Sequence, residues 1–338
     1  MKRFSAIIAM MALSALYAQE TGKDTQKWSA GRPDGHAPIP VMGDHMHSKG
    51  EWMFSYRYMF MNMEDLKQGS DDASFDDALA QTMVTPTEMP MTMQMLGAMY
   101  APSDNLTLMV MFNYLSMEMD HITRTGGTFL TEASGFGDIQ ISGLFQLFNR
   151  KRQTVHGQVG ISIPAGSVTE RDVTPASSPN EVELPYPMQI GSGTVDANLA
   201  LTYLGQSNRI SWGGQIRTIL RFGENERDFR YGNRQSLNGW FALKATEWLS
   251  FSTRLEALVV GEIDGEDPNL NPLMVITADT ANSGGNFLNG GLGFNVYVPK
   301  GALKNLRFGF EFASPLYQDV NGIQLKTRET LTLGTQYS

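Results

Sequence analysis

The sequence predicts an all-β protein, an antiparallel transmembrane β-barrel of about 12 strands, and three observations carry that expectation. Residues 52–63 alternate Trp52, Phe54, Tyr56, Tyr58 and Phe60 with a second row holding Met53, Met59, Met61 and Met63. Successive side chains of a strand point to opposite faces, so one row meets lipid and the other a lumen. Lys2 and Arg3 precede an apolar stretch from Phe4 to Leu16 that ends at Tyr17-Ala18-Gln19, the layout of a secretory signal peptide cleaved near Ala18. Beyond it no stretch approaches the roughly 18 uninterrupted apolar residues of a spanning helix. Instead, short and long connections alternate, as in bacterial outer-membrane barrels.

The strands follow in order. The first spans about 51–63 and is followed by an acidic segment, 64–88, with Asp71, Asp72, Asp76 and Asp77. The second, 90–100, turns at Pro102-Ser103-Asp104-Asn105, residues that favour a tight bend. The third, 106–121, sets Leu106, Leu108, Val110, Phe112 and Tyr114 against Met109, Met111 and Asn113. A Gly-rich loop, 126–135, leads to the fourth, 138–148, and Asn149-Arg150-Lys151-Arg152 turns into the fifth, 153–164. After a proline-rich loop to residue 190 come 194–204 and 209–222, joined at Gly205-Gln206-Ser207-Asn208. The eighth and ninth, 235–245 and 248–261, are nearly contiguous, and a long loop ends at Gly284-Gly285. The last three are 287–298, 306–313 ending near Pro315, and 326–337. An even count returns both termini to one side. Trp52, Tyr100, Tyr203, Trp212, Trp248 and Tyr297 fall near the short turns, where an aromatic girdle is expected.

The domain plan is therefore a signal peptide, 1–18, a flexible leader or lumen plug, 19–50, and a barrel, 51–338. The chain has no cysteine, which excludes a lipoprotein anchor and disulfides. A net charge of −9 gives no basic footprint for nucleic acid. The mean hydropathy of −0.24 suits a barrel, since half of each strand faces water. A soluble β-sandwich or propeller is the alternative, but it would leave the outward rows of Phe and Leu unused.

Several stretches carry a family likeness: Met42-Gly43-Asp44-His45 with His47 and Gly50, Ser55-Tyr56-Arg57-Tyr58, Tyr100-Ala101-Pro102 and Gly137-Asp138. Further stretches are Ser142-Gly143-Leu144, Pro185-Tyr186-Pro187-Met188-Gln189, Gly191-Ser192-Gly193-Thr194, Tyr297-Val298-Pro299, Tyr317-Gln318-Asp319 and Thr332-Leu333-Gly334. On these the chain resembles a group of bacterial outer-membrane transporter barrels related to the phenol-degradation MetA-type proteins. The resemblance implies a Gram-negative outer membrane, lipid contact, delivery by the barrel-assembly machinery and passage of a small solute. The terminal Gln336-Tyr337-Ser338 departs from the terminal aromatic of such proteins, with Tyr337 in its place.

Of the 21 methionines, those after Met1, Met10 and Met11 concentrate before residue 120, with only Met188 and Met274 beyond it. Met59, Met61, Met63, Met91, Met93, Met95, Met109, Met111, Met117 and Met119 are assigned to the lumen by alternation. Thioethers are soft ligands suited to Cu(I), and by analogy to Ag(I), as cargo. They are equally flexible apolar filler for a greasy path. The leader gathers His36, Met42, Asp44, His45, Met46 and His47, a metal site or a structural latch, and His121 and His156 are further luminal imidazoles. A luminal charge network is expected from Arg57, Arg217, Arg221, Arg254, Glu256, Arg307, Glu311 and Arg328, for pairing or for solute selection.

Enzymatic chemistry finds no support. No histidine stands near a serine motif, and Asp71-Asp72, Asp76-Asp77 and Glu266-Asp267 sit in loops, where solvation is their simplest role. No bound cofactor is implied. The expected function is a barrel that passes or gates a small solute, either a soft metal ion such as copper or a small hydrophobic or aromatic compound. The alternative is a non-transporting structural or surface-binding barrel.

Overall fold

The computed structural model describes residues 28–338. The expected signal peptide, 1–18, and the first part of the leader lie outside the described residues. The elements in chain order begin with β1 (Trp52–Gly69), β2 (Asp71–Ala73), the helix α1 (Phe75–Leu79), β3 (Val84–Ser103) and β4 (Leu106–Thr123). They continue with β5 (Thr128–Phe136), β6 (Ile139–Arg150), β7 (Gln153–Ile163), β8 (Arg171–Val173) and β9 (Glu181–Glu183). Next come β10 (Val195–Gln206), β11 (Ile210–Phe222), β12 (Phe229–Arg230), β13 (Arg234–Lys244) and β14 (Leu249–Val260). The chain closes with β15 (Asp264–Gly265), β16 (Gly285–Tyr297) and β17 (Arg307–Tyr337).

Eleven of these form one antiparallel circuit, β1-β3-β4-β6-β7-β10-β11-β13-β14-β16-β17, and β17 pairs back onto β1 to close it. β2 and β5 attach outside that circuit, to β1 and β4. No helix among the described residues is long and apolar enough to cross a membrane. Closure removes sheet edges, so the ladder groups of the wall are satisfied within it.

β17 is 31 residues long and runs through Pro315, where the sequence suggested an end. Residues 307–320 pair with β16, and residues 320–337 pair with β1. Both pairings are antiparallel, so β17 doubles back at Asn321-Gly322. Gly322 has φ 58°, and a Cβ there would collide with Asn282 Oδ1. Counted as two legs, β17 brings the circuit to the number that periodicity predicts. The register slips between Leu288 and Asn289, leaving Leu316 unpaired beside Pro315, whose missing N–H cannot join the ladder.

Two further expectations are corrected. The Gly-rich stretch 126–135 is mostly the strand β5, which pairs with the upper part of β4 while β6 pairs with the lower part. One wall segment is thus broken at Gly137-Asp138. Asp138 there accepts the Gly166 and Ser192 N–H groups at 3.1 and 2.9 Å, docking the loop after β7 against the break. The acidic segment 64–88 is also more ordered than its composition suggested. β1 and β3 extend into it, and between them α1 is closed by a reciprocal Ser74–Asp77 capping box.

The alternation of rows holds on the wall. Trp52, Phe54, Leu96, Phe112, Phe241 and Phe251 are exposed outward, whereas Met53, Met95, Met99, Met109 and Met111 are buried inside. At the short-turn mouth Trp52 packs on Tyr100 at 4.5 Å, and the Trp212 indole donates to the Tyr203 hydroxyl at 3.4 Å. Tyr297 departs from the expected girdle. It is buried and its hydroxyl donates to Asn305 Oδ1 at 2.9 Å.

Candidate functional site: a plugged lumen with a methionine wall

Residues 28–50 form few hydrogen bonds of their own, yet those from 33 to 39 are buried throughout. A buried segment without a ladder must find external donors for its carbonyls, and the luminal row supplies them. Arg307 Nη1 donates to the Pro33 carbonyl at 2.7 Å, and Nη2 donates to those of Arg32 and Ala30 at 2.6 and 3.1 Å. Ser250 also donates to Pro33, Ser211 to Asp34, Arg57 to Ile39 and Gln215 to Met42. The His156 Nε2 lies 2.8 Å from the Gly43 carbonyl. All of these wall residues lie in the half of the barrel nearest the short turns, so residues 28–50, the described part of the leader, lodge in the lumen at that mouth as a plug.

Shape completes the attachment. Ile39 lies against luminal Gly309 and Gly334, where a Cβ would come within 3.0 Å of Ile39 Cβ and 2.8 Å of Ile39 Cδ1. Ala37 and Val41 pack with Leu204 and Trp240. Neither Ile39 nor Gly309 stood out in the sequence, and Gly334 did so only within the Thr332-Leu333-Gly334 stretch. The signal that could have found them is a glycine on the luminal row of a strand otherwise filled by larger side chains.

The methionines line one continuous strip. Register sets Met53 opposite Met99, Met59 opposite Met93, Met61 opposite Met91 and Met63 opposite Met89 across β1 and β3. Across β3 and β4, Met91 faces Met117 and Met99 faces Met109. Toward the long loops, Met89, Met117 and Met119 pack with Leu115, Leu184 and Met188, with Met63, Met91 and Met93 against them. Toward the plug, Met53, Met95, Met99, Met109 and Met111 pack with Leu144, with Met42, Met46, Met59 and again Met93 at the edge. Met93 joins the two clusters, and the strip ends on the plug.

Two cavities lie toward the long loops. One, about 320 Å³, is lined by His121, Phe129, Val182, Leu184, Leu270 and Met274 among others. Leu184 belongs to this cavity and to the methionine strip. The second, about 350 Å³, is polar and includes Asn113, Gln140, Asp196, Arg221, Tyr231 and Arg234. His121, the further imidazole that the sequence offered as a metal ligand, is stacked on Phe129 at 4.6 Å in the apolar cavity, apart from the leader histidines.

The expected charge network divides into separate tasks. Arg254 forms a two-pronged pair with Glu311, at 3.0 Å from Nε and 2.7 Å from Nη2, and also reaches Glu256 at 3.3 Å. Arg221 pairs with Asp196 at 3.1 Å, while Arg217 meets the carboxamides of Gln140 and Asn198. Arg57 and Arg307 hold plug carbonyls rather than opposite charges. Arg328 leaves the interior set altogether and pairs with Asp65 and Glu64, all half-exposed or exposed, where β1 bulges.

Within the plug the His36 and His45 rings stand 3.9 Å apart and those of His45 and His47 4.7 Å apart. Asp44 Oδ1 accepts from His45 Nδ1 at 2.9 Å and Oδ2 accepts from the Ala37 N–H at 3.0 Å. Burial, which removes the hydration of a cation, holds His36 well below its ordinary range and His47 down to about 3, so both are neutral imidazoles. Burial opposes the Asp44 charge, but the adjoining His45 outweighs it and Asp44 stays ionised.

No family model and no curated protein matches the chain. Among solved structures it is similar to the COG4313 outer membrane channel from Pseudomonas putida F1, at 13% identity over 88% of this chain and 98% of that one, with a TM-score of 0.61. The transport unit of the autotransporter AIDA-I from Escherichia coli matches at 10% identity over 88% and 92%, TM-score 0.49. A TodX monoaromatic hydrocarbon channel variant matches at 10% over 94% and 96%, TM-score 0.46. The first of these establishes a shared barrel fold.

Proposed function

We propose that the protein is an outer-membrane channel of a Gram-negative cell that passes a small, largely apolar solute unchanged, with residues 28–50 closing its short-turn mouth. The methionine strip carries this reading, since it joins an apolar cavity near the long loops to the plug. Methionine is polarizable and flexible, so such a surface accepts many apolar shapes without fixing any of them.

The outward rows support a membrane address. Leu96, Leu237, Phe241, Phe251 and Leu292 each expose 45% or more of their surface, an apolar belt far beyond what a soluble surface carries. Tyr337 is outward and exposed, as an aromatic signal to the assembly machinery would have to be. The fold shared with an outer-membrane channel points the same way.

Planar-bilayer recording tests the channel. The intact protein should give small or infrequent conductance steps, and deletion of residues 28–50 should enlarge them several-fold. A silent baseline from both forms, with the barrel folded, would favour a non-transporting structural barrel.

A further inference from the structure

We infer that the plug carries a site for a divalent late-transition ion, formed by His36 and His45 and organised by Asp44, with His47 beside it. This goes beyond the channel reading and does not depend on it. One ligand atom from each of His36, Asp44 and His45 can be chosen so that all lie within 4.8 Å of one another, and all three residues are buried. His47 is buried beside them.

The second observation is the state of the imidazole nitrogens. His36 Nδ1, His45 Nε2 and His47 Nε2 are buried and have no hydrogen-bond partner. Buried polar atoms are nearly always satisfied, and the orphans on His36 and His45, whose rings stand 3.9 Å apart, point to a common missing partner. Asp44 explains how the set is prepared. By accepting from His45 Nδ1 it fixes the proton on that nitrogen and leaves the Nε2 lone pair free, the outer-shell arrangement found behind metal-bound histidines. Its other oxygen is tied to Ala37, which anchors the carboxylate.

The donor set selects the ion. Two imidazoles beside one carboxylate suit Cu(II) or Zn(II), whereas Ca²⁺ and Mg²⁺ prefer oxygen donors. Met42 and Met46 are turned to the methionine strip, so the site is built of imidazoles rather than thioethers. Every proposed ligand lies between residues 36 and 47. The ion would therefore cross-link the plug within itself and stiffen the segment that the wall arginines hold.

The test uses the full-length protein without a histidine tag, folded in detergent, stripped with chelator and titrated with copper or zinc sulfate. Retention of one equivalent after gel filtration is expected, with nitrogen hyperfine structure in the Cu(II) spectrum. Cu(II) should also quench Trp28, whose ring is 6.4 Å from His45. His36→Ala and His45→Ala should lose the equivalent, and His121→Gln should keep it. Asp44→Asn, which leaves every imidazole in place, should weaken binding about 10- to 100-fold. No retained ion, an all-oxygen Cu(II) spectrum, or unchanged binding in folded His36→Ala and His45→Ala proteins would overturn the proposal. Heat-modified mobility on gels reports folding. If the alanine variants do not fold, the wild-type spectrum and the Asp44→Asn affinity decide.

Discussion

Arg307 and Pro33 are 274 residues apart in sequence, and the arginine Nη1 donates to the proline carbonyl at 2.7 Å. With two more plug carbonyls on Nη2, this one side chain ties the leader to the wall. Charged hydrogen bonds of this kind are worth about 1.5–3 kcal/mol each. Arg307→Met should therefore loosen the plug and leave the barrel closed on itself. Limited digestion with endoproteinase Asp-N at Asp34, buried in the wild type, measures it: cleavage should be slow in the wild type and at least tenfold faster in the variant. Equal rates would show that Arg307 does not retain the plug.

The Arg254–Glu311 pair should behave differently, because it braces the wall itself. The two side chains are 7% and 1% exposed, so removing one partner strands a buried charge. Arg254→Met is expected to cost about 3–5 kcal/mol of barrel stability, and adding Glu311→Met should recover much of it. Urea unfolding in detergent micelles reads both. A double variant no more stable than the single one would contradict the pairing account.

The long-loop end should respond to pH through Glu183. Burial and a carboxyl–carboxyl contact with Asp267 push its value up to about 7, against the partial relief offered by Arg227. The folded loops thus hold a proton that the open loops release. Their closure is fully supported below about pH 4.5 and loses that support as pH rises through 7. Hydrogen exchange at residues 181–183 and 264–270, corrected for intrinsic rate, should increase between pH 5 and 8. Glu183→Gln should flatten the change, and a flat wild-type profile would contradict the assignment.

Much of this barrel was legible in residues 52–63 and 106–121, where two side-chain rows differ in chemistry as well as in position. The methionine strip follows from that alternation once register is known. β5 was not legible because Gly126, Gly127 and Gly135 read as loop, and only pairing with β4 makes the stretch a strand. β17 was divided at Pro315 because a bulge cannot be seen without the partner strand. Arg57 and Arg307 are buried against the plug, whereas charge alone suggested carboxylate partners. Their true partners are backbone carbonyls, which every residue carries and which no sequence pattern marks.

The methionines can be asked directly which chemistry they serve. Replacing Met59, Met61, Met93 and Met111 together by leucine keeps the apolar surface and removes four thioethers. Uptake of apolar solutes should persist and silver and copper sensitivity should stay at the wild-type level. A clear change in either metal sensitivity would instead assign the strip to soft-metal passage.

The most direct test of the channel account is the entry rate of a small apolar fluorescent probe, N-phenylnaphthylamine, into porin-depleted Gram-negative cells whose lipopolysaccharide resists it. Expression of the intact chain should raise the rate, and deletion of residues 28–50 should raise it further. Met93→Glu, a charge at the junction of the two methionine clusters, should abolish the gain. Entry rates indistinguishable from those of cells lacking the protein, for both the intact and the plug-deleted chain, would contradict the account.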